Sequence, residues 1–272
     1  GFAQFDSTNK RIFEYENIKS NAHEKSAKNI NAYLVEGDDI VIEKRRKPLC
    51  NVLNIIKGNY YAKSEGLIIE EKDLDYLVKN EPNAKKWIKL LIGADEFINN
   101  RKRYCLWLVD CPPDELRKMP LVMERVNRVR EDRLKSTDKG MQNLAPIRFR
   151  ETNNPDKCIV IPVVSSEKRP YIPIGFIDKN TISTNGNLII PNGDLFLFGQ
   201  LTSLMHMAWV KYTCGRLKSD YRYSKDLVYN NYPFPKNVNE KQKLAVEEKA
   251  QNVLDIRASF NDCSLADLYD PL

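Results

Sequence analysis

The sequence is short of the residues that build metal sites. It contains two histidines, His23 and His206, and six cysteines, none of which form a Cys-x-x-Cys pair. A structural zinc site is therefore not predicted. His206 is interpreted as a packing or surface residue rather than as a catalytic one.

The sequence also lacks the motifs that mark cofactor loops and catalytic centres. It has no Gly-rich phosphate loop, no Gly-x-Gly-x-x-Gly, no His-Glu-x-x-His and no Asn-Pro-Pro-aromatic tetrad of the kind used for amino-group methylation. We therefore expect no catalytic residue, no metal ligand and no cofactor within this chain.

Long apolar runs are missing as well. No apolar stretch approaches the roughly 20 residues that a membrane-crossing helix needs, and no charged-then-apolar leader opens the sequence. We expect a cytoplasmic protein with reduced thiols and no membrane partner.

What the chain does have is a core and an excess of positive charge. Its 272 residues are 42% apolar, and 43 basic side chains against 37 acidic ones give a net charge of +6. The length suits one large domain with a helical appendage. The charge favours a polyanionic partner.

The basic and aromatic residues concentrate between residues 211 and 235. Five cations accompany a single carboxylate, Asp220, between residues 211 and 225, and the segment Val228–Pro235 closes it with further tyrosines and prolines. The cations are Lys211, Arg216, Lys218, Arg222 and Lys225. Cations next to flat rings and hydroxyls are typical of phosphate and base contacts in nucleic-acid binding.

Three other segments carry weaker signals, each with an ordinary alternative. Lys44–Lys47 could contact phosphates or be a solvated hairpin end. The loop Ser165–Tyr171 could aim Arg169 at guanine and Glu167 at a cytosine amino group, or be a plain turn. Arg148 and Arg150 would share one face of a strand, with pairing to Glu151 or Asp156 as the alternative.

The periodicities predict an α+β fold, with one twisted, mainly antiparallel or mixed sheet and packed helices. The predicted strands are 30–34 and 40–42 as a hairpin, 104–109, 146–150, 158–164, 171–177, 188–190 and 195–198. Helices are predicted from residues 70 and 81, over 113–134 and over 201–212. The last of these would end at a left-handed Gly215, and its core stripe would be Leu201, Leu204, Met205, Ala208, Trp209 and Tyr212. Asn239 caps a final helix, with Gln242 three residues on.

Several long phrases of the sequence resemble the C-terminal target-recognition part of the MmeI-like restriction-modification enzymes. These are single polypeptides that join an endonuclease, an adenine-N6 DNA methyltransferase and a specificity region. The matching phrases are Asn31–Leu34, Arg46–Leu49, Glu96–Asn99, Cys105–Leu108, Ser165–Glu167, Arg169–Phe176, Met205–Val210, Gly215–Ser224 and Val228–Pro235.

The resemblance implies a division of the chain into three parts. Residues 1–28 would be a lead-in from the end of an upstream methyltransferase domain, with Gly1 and Phe2 in its last strand. Residues 29–235 would be the DNA target-recognition domain, and 236–272 a truncated C-terminal helical spacer. The parent protein would use S-adenosylmethionine, with Mg²⁺ for cleavage, and this part would bind but neither methylate nor cut.

The implied function is reading double-stranded DNA for an absent methyltransferase domain of the same polypeptide. Base discrimination is assigned to Arg148, Arg150, Glu167 and Arg169. Backbone contacts are assigned to Lys44, Arg45, Arg46, Lys47, Ser165, Ser166, Arg216, Lys218, Ser219, Tyr221, Arg222 and Tyr223. The alternative is a docking or specificity module for a separate methyltransferase subunit, with tyrosines at the protein-protein interface.

Overall fold

The computed structural model of the chain describes residues 9–17 and 19–270. The predicted strand at Gly1 and Phe2 lies outside these residues.

The strands are short and fall in every part of the described chain. They are β1 Lys10–Glu14, β2 His23–Ala27, β3 Ile56–Lys57, β4 Ile68–Glu70, β5 Ile88–Ile92, β6 Arg103–Leu106, β7 Lys157–Pro162, β8 Val164–Ser165, β9 Gly175–Asp178, β10 Thr181–Ser183, β11 Asn187–Pro191, β12 Gly215–Leu217 and β13 Asp220–Arg222.

The helices alternate with these strands. They are α1 Glu71–Asn80, α2 Ala94–Asn99, α3 Pro113–Leu116, α4 Pro120–Leu134, α5 Lys139–Gln142, α6 Leu195–Leu201, α7 Leu204–Thr213, α8 Glu240–Ser259 and α9 Leu265–Tyr269. Two 3₁₀ turns, Glu65–Leu67 and Pro82–Trp87, and one π turn, Lys225–Tyr229, complete them.

The α+β class with mainly antiparallel pairing is confirmed, and three of the predicted strands share one sheet as β7, β9 and β11, but the strands as a whole are divided among several sheets. The strands form four small sheets in the orders β1-β2, β10-β5-β6-β4, β3-β11-β7-β9 and β12-β13-β8. Neighbours in these sheets are antiparallel except for the parallel pair of β10 and β5. Short strands broken by turns curve away from one another, so one continuous sheet does not form.

Two apolar cores support these sheets. The first lies between the β3-β11-β7-β9 sheet and helices α6 to α8, and it includes Phe198, Tyr229 and Ala250. The second lies between the β10-β5-β6-β4 sheet and α4, where the predicted stripe Val122, Val126 and Val129 is fully buried. Ile92, Cys158, Val160 and Ile189 join the two sheets through a smaller cluster.

Close backbone packing fixes how the two sheets meet. A Cβ atom on Gly58 would lie 2.1 Å from the carbonyl oxygen of Thr184, so only glycine fits there. The buried Asn59 next to it donates to the carbonyl oxygens of Asn153 and Ser183.

Several predicted elements differ from the structure. Residues 195–198 begin α6 instead of a strand, because the Asp194 carboxylate caps the helix by accepting from Leu197 N. The hairpin at 30–42 reduces to one bridge between Ile30 and Glu36. The helix predicted from residue 81 is a 3₁₀ turn followed by β5, and the one over 113–134 is split into α3 and α4.

Helix α7 buries a different face from the predicted one, although Leu201 of the predicted stripe is buried in α6 and Trp209 packs against the first core. His206, Met207 and Val210 face the core, whereas Leu204 and Met205 are 70% and 71% exposed. Gly215 has no left-handed φ and begins β12 instead of ending the helix.

Helix α8 has the predicted capping box, in which the Asn239 and Gln242 side chains each accept from the other residue's backbone N–H. It is not a detached tail. Gly199 of α6 brings the two helices so close that a Cβ there would lie 2.7 Å from Val246 Cγ1. Ala250 is buried in the first core as a result.

Candidate nucleic-acid interface

The β12-β13-β8 sheet brings two predicted sites side by side. Tyr221 of β13 pairs with Ser165 of β8 on one side and with Arg216 of β12 on the other. The backbone N–H of Glu167 donates to the Asp220 carboxylate at 3.2 Å. The loop at 165–169 and the hairpin at 215–222 therefore form one surface feature, although they are about 50 residues apart in sequence.

A basic cleft lies beside this sheet, with a volume of about 430 Å³. Four cations from three separate segments line it: Lys44, Lys57 of β3, and Arg222 and Lys225 of the run 222–227. One carboxylate, Asp226, also lines it and lies 4.0 Å from Lys225. Within the described residues, Lys44, Lys57 and Arg222 have no carboxylate within ion-pair distance.

The run Lys44–Lys47 is held against the π turn by side-chain amides. Asn230 Nδ2 donates to the Arg45 carbonyl, and Asn231 Nδ2 donates to the Glu43 carbonyl. The Arg45 guanidinium is used within the protein, since its Nε donates to Asn231 Oδ1 at 2.9 Å. Lys44, Arg46 and Lys47 are exposed.

The hairpin tip presents further cations to solvent. Lys218 takes a left-handed φ of 56° in the turn, and Ser219 follows it. The Arg216 guanidinium lies 4.1 Å from the centre of the Tyr221 ring and donates to the Ser219 carbonyl. Arg216, Lys218 and Ser219 are all exposed, as a phosphate contact requires.

The expected tyrosine contacts do not fit the structure. Tyr221 and Tyr223 are 4% and 2% exposed. The Tyr223 hydroxyl is hydrogen-bonded to His206 Nε2 at 2.9 Å, deep in the first core. Burial raises the pKa of Tyr223 and lowers the pKa of His206 to about 3. These rings therefore support the hairpin from beneath and do not reach a phosphate.

The 165–169 loop places its side chains differently from one another. Ser165 is buried and Ser166 half-buried, so Ser165 is a support rather than a phosphate contact. Glu167 is exposed. Arg169 has a side chain that is only 10% exposed, because its guanidinium is ion-paired with Asp270 and donates to Ser165 Oγ at 3.5 Å.

Arg148 and Arg150 lie apart from the cleft and hairpin. Residues 146–150 form turns and not a strand, so the two guanidinia do not share a strand face. Arg148 is half-buried beside the second core, and its carbonyl accepts from Arg133. Arg150 pairs with Glu151 at 3.5 Å and stacks on Tyr60, as the ion-pair alternative has it.

One arginine of α4 is buried. Arg133 is 1% exposed and donates to Ser64 Oγ and to several main-chain carbonyls, including Lys63 and Arg148. Desolvation lowers its pKa. It therefore holds loops together and offers nothing to a ligand.

No three His, Cys, Asp or Glu side chains in residues 9–17 and 19–270 group as a metal site would require. None of the helices in that part of the chain has the length and apolar character needed to cross a bilayer.

The geometry is that of a binding surface, and the comparisons with known proteins agree. The family described as MmeI, target recognition domain, matches residues 36–236. The chain belongs to this family. The MmeI C-terminal domain family matches the following residues, 238–272.

Two relatives of the MmeI family are longer than this chain. DNA methyltransferase A of Bacillus subtilis (strain 168) is 38% identical over 275 residues, which cover 100% of this chain and 30% of that protein. A solved structure of the type IIL restriction-modification enzyme MmeI in complex with DNA is 41% identical, with a TM-score of 0.89, and the match covers 98% of this chain and 36% of that one. The chain thus spans about a third of the length of each.

Sequence reasoning missed two residues of the cleft as contacts. Lys57 lies in a two-residue strand, β3, and no cluster of basic residues around it in the sequence marks it as a contact. Lys225 belongs to the basic-aromatic segment, so its charge was the available signal, but its place in the cleft depends on the π turn that follows Ser224.

Proposed function

We propose that this chain is the part of a restriction-modification methyltransferase that recognises a specific sequence in double-stranded DNA. Residues 29–235 would be the recognition domain and 236–272 a helical C-terminal part, a division that the ranges of the two family matches support. An upstream methyltransferase domain of the same polypeptide would act on the DNA that this part holds, in the cytoplasm.

The observation that carries the proposal is the basic cleft beside the β12-β13 hairpin. Lys44, Lys57 and Arg222 converge there without carboxylate partners among the described residues, although isolated like charges repel one another. A polyanion that enters the cleft would relieve this repulsion and release its own counterions. The exposed tip residues Arg216 and Lys218 would extend the same backbone contact.

Base discrimination would come from the neighbouring 165–169 loop. Glu167 is exposed and can accept from a cytosine amino group. Arg169 would donate to guanine with the two N–H groups that its internal contacts leave free. Arg148 and Arg150 remain proposed base contacts, with weaker support because each is engaged with its own surroundings.

Cofactors of the parent protein would be bound elsewhere in the polypeptide. The methyltransferase and restriction-modification relatives support S-adenosylmethionine for the parent, and Mg²⁺ would serve its cleavage reaction. The residues of this chain do not fit either group, since the methylation tetrad is absent from the sequence and the described carboxylates form no metal cluster.

The test is fluorescence anisotropy with a labelled duplex over a range of salt concentrations. Lys57→Ala and Arg222→Ala should each weaken binding to every sequence and reduce the slope of log K against log salt by about 1. Lys241→Ala is the matched control, because Lys241 is exposed on α8 and contributes to neither the cleft nor the hairpin. Binding that ignores salt, or equal effects of all three variants, contradicts the proposal.

A protein-docking role is the second candidate, and one groove favours it. A largely apolar groove of about 470 Å³ lies between the outer face of α7 and the 31–42 segment, and it exposes Met205, Tyr212 and Ile40. Such a patch is typical of protein-protein contacts. Co-elution with a separate methyltransferase subunit, lost in Met205→Lys, together with no retention on a DNA column, would favour docking.

A further inference from the structure

The C-terminal helices contact the 165–176 segment at two points. Asp270, at the end of α9, pairs with Arg169, and Nη2 of that arginine lies 3.2 Å from Asp270 Oδ2. Arg257 of α8 donates from Nη1 to the Ile174 carbonyl and from Nε to the Tyr269 hydroxyl at 3.1 Å. The end of α9 therefore contacts the segment directly at Arg169, and through Arg257 it is linked to Ile174.

Asp270 is itself held in place by α9. A reciprocal capping box between Ser264 and Asp267 begins this helix, and the backbone N–H of Asp270 donates to the Ala266 carbonyl at its end. Helix α9 also packs against α2. The carboxylate therefore approaches Arg169 from a fixed direction rather than from a free tail.

The pairing leaves two N–H donors of the guanidinium without a partner among these contacts. An arginine carries five N–H donors. Nε and Nη2 face Asp270, and one N–H of Nη1 faces Ser165 Oγ. One N–H on each terminal nitrogen has no partner among these contacts, and we call these two donors the outer edge of the fork. Bidentate recognition of guanine needs two such donors.

We propose that Asp270 is a positioning residue for base recognition: it fixes the guanidinium of Arg169 so that the outer edge faces the DNA. This inference rests on the proposed function, and it makes the C-terminal helices a part of the reading surface. A rotamer fixed beforehand loses less entropy on binding, and it excludes a base pair that does not match its donors.

The first experiment tests the clamp without DNA, by NMR of the Nε–H group of Arg169 in the full chain. We expect slow exchange with solvent in the wild type and in Asp262→Asn, and fast exchange in Asp270→Asn. Asp262 is the matched control because it is an exposed carboxylate of the same C-terminal part, and its loss changes the net charge equally. Unchanged exchange in Asp270→Asn would overturn the proposal.

The second experiment measures discrimination. A pool of duplexes with a randomised centre is enriched on the wild-type chain, and single-base-pair variants of the preferred duplex then compete for binding. Arg169→Ala and Asp270→Asn should both lose discrimination at the same one base pair, by about five- to 100-fold. Asp270→Glu should restore part of it, and Asp262→Asn should leave it intact.

The double variant separates positioning from an independent contact. Because Asp270 acts through Arg169, Arg169→Ala with Asp270→Asn should discriminate no worse than Arg169→Ala alone. Additive losses, or Asp270→Asn binding all duplexes more tightly, would overturn the proposal, the latter by showing that Asp270 blocks Arg169. If the wild type shows no sequence preference, the proposed function fails; if only Asp270→Asn behaves like its control, this inference alone fails.

Discussion

At the residue scale, burial keeps the His206 side chain from taking up a proton near neutral pH. The residue is 1% exposed, and its Nε2 is hydrogen-bonded to the Tyr223 hydroxyl. The ring also packs edge-on against Tyr232, with 4.6 Å between the ring centres. Burial lowers its pKa to about 3. The imidazole is therefore neutral in the folded protein at every pH near neutrality.

This pKa shift predicts acid sensitivity. The unfolded chain takes up a proton at His206 below an ordinary pKa of about 6.5, whereas the folded protein does not until about 3, so stability falls as the pH drops through that window. The free energy of unfolding should be lower at about pH 5 than at about pH 7 by about 2 kcal/mol from this residue. Urea unfolding at the two values measures it.

The control is His206→Gln, which keeps a polar side chain near Tyr223 and does not titrate. Its loss of stability between the two pH values should be smaller than that of the wild type by the same amount. An equal loss in both proteins would show that the carboxylates, and not His206, cause the acid sensitivity.

Residue type alone predicted which side chains are charged, but not which of them are exposed and without internal partners. Arg133, Arg169 and Tyr223 carry the same chemistry as exposed cations and tyrosines of the chain, yet each is enclosed by partners from distant segments. The Arg169 partner is 101 residues away in sequence. No local pattern encodes such a distance, so these roles required the fold.

At the element scale, the contact of α6 with α8 depends on Gly199. A side chain there would meet Val246 Cγ1 at 2.7 Å and Ala250 Cβ at 3.2 Å, so Gly199→Leu should force α8 outward. We expect a net loss of about 1 to 3 kcal/mol in unfolding free energy, despite the better helix propensity of leucine. Urea unfolding measures the loss, and limited proteolysis between α7 and α8 detects the released helix.

Glu248→Leu is the control for this prediction. Glu248 is exposed on α8, so leucine there adds apolar surface without strain at the helix contact. If both variants unfold at the same urea concentration, the docking of α8 does not depend on its close contact with α6 at Gly199.

Elements with strong end signals were predicted correctly, and ambiguous apolar runs were not. Asn239 and Gln242 located α8, and the acidic run at 70–73 located α1. Residues 195–198 are apolar at every position, a pattern that suits a buried strand and a buried helix equally. In α7 apolar residues occur all round, so the period did not reveal that Met205 faces outward and Met207 inward.

At the scale of the whole molecule, the C-terminal part behaves as a component of the fold. Ala250 lies in the first core, Val253 and Leu254 pack against it, and Arg257 lies over the ring of Phe198. The sequence predicted a helical spacer because its Lys, Glu and Gln content differs from what precedes it. Composition shows which face is solvated, but the fold decides where the narrow apolar face docks.

Removing residues 237–272 should therefore lower the stability of what remains. The loss of α8 uncovers Phe198 and neighbouring apolar side chains, and each such exposure costs about 1.5 to 3 kcal/mol. We expect a lower midpoint of thermal unfolding, and increased binding of a dye specific for exposed apolar surface. An unchanged midpoint would show that the C-terminal part is an independent spacer.

The contacts that α8 and α9 make with the 165–176 segment also determine where a chimera could be joined. A graft that carries residues up to Pro235 onto another scaffold would leave the Ile174 carbonyl and the Arg169 guanidinium without the partners that α8 and α9 supply. A junction after Asp270 keeps both. Exchange of reading preferences between members of this family should therefore succeed more often when the two terminal helices travel with the 165–176 segment that they contact.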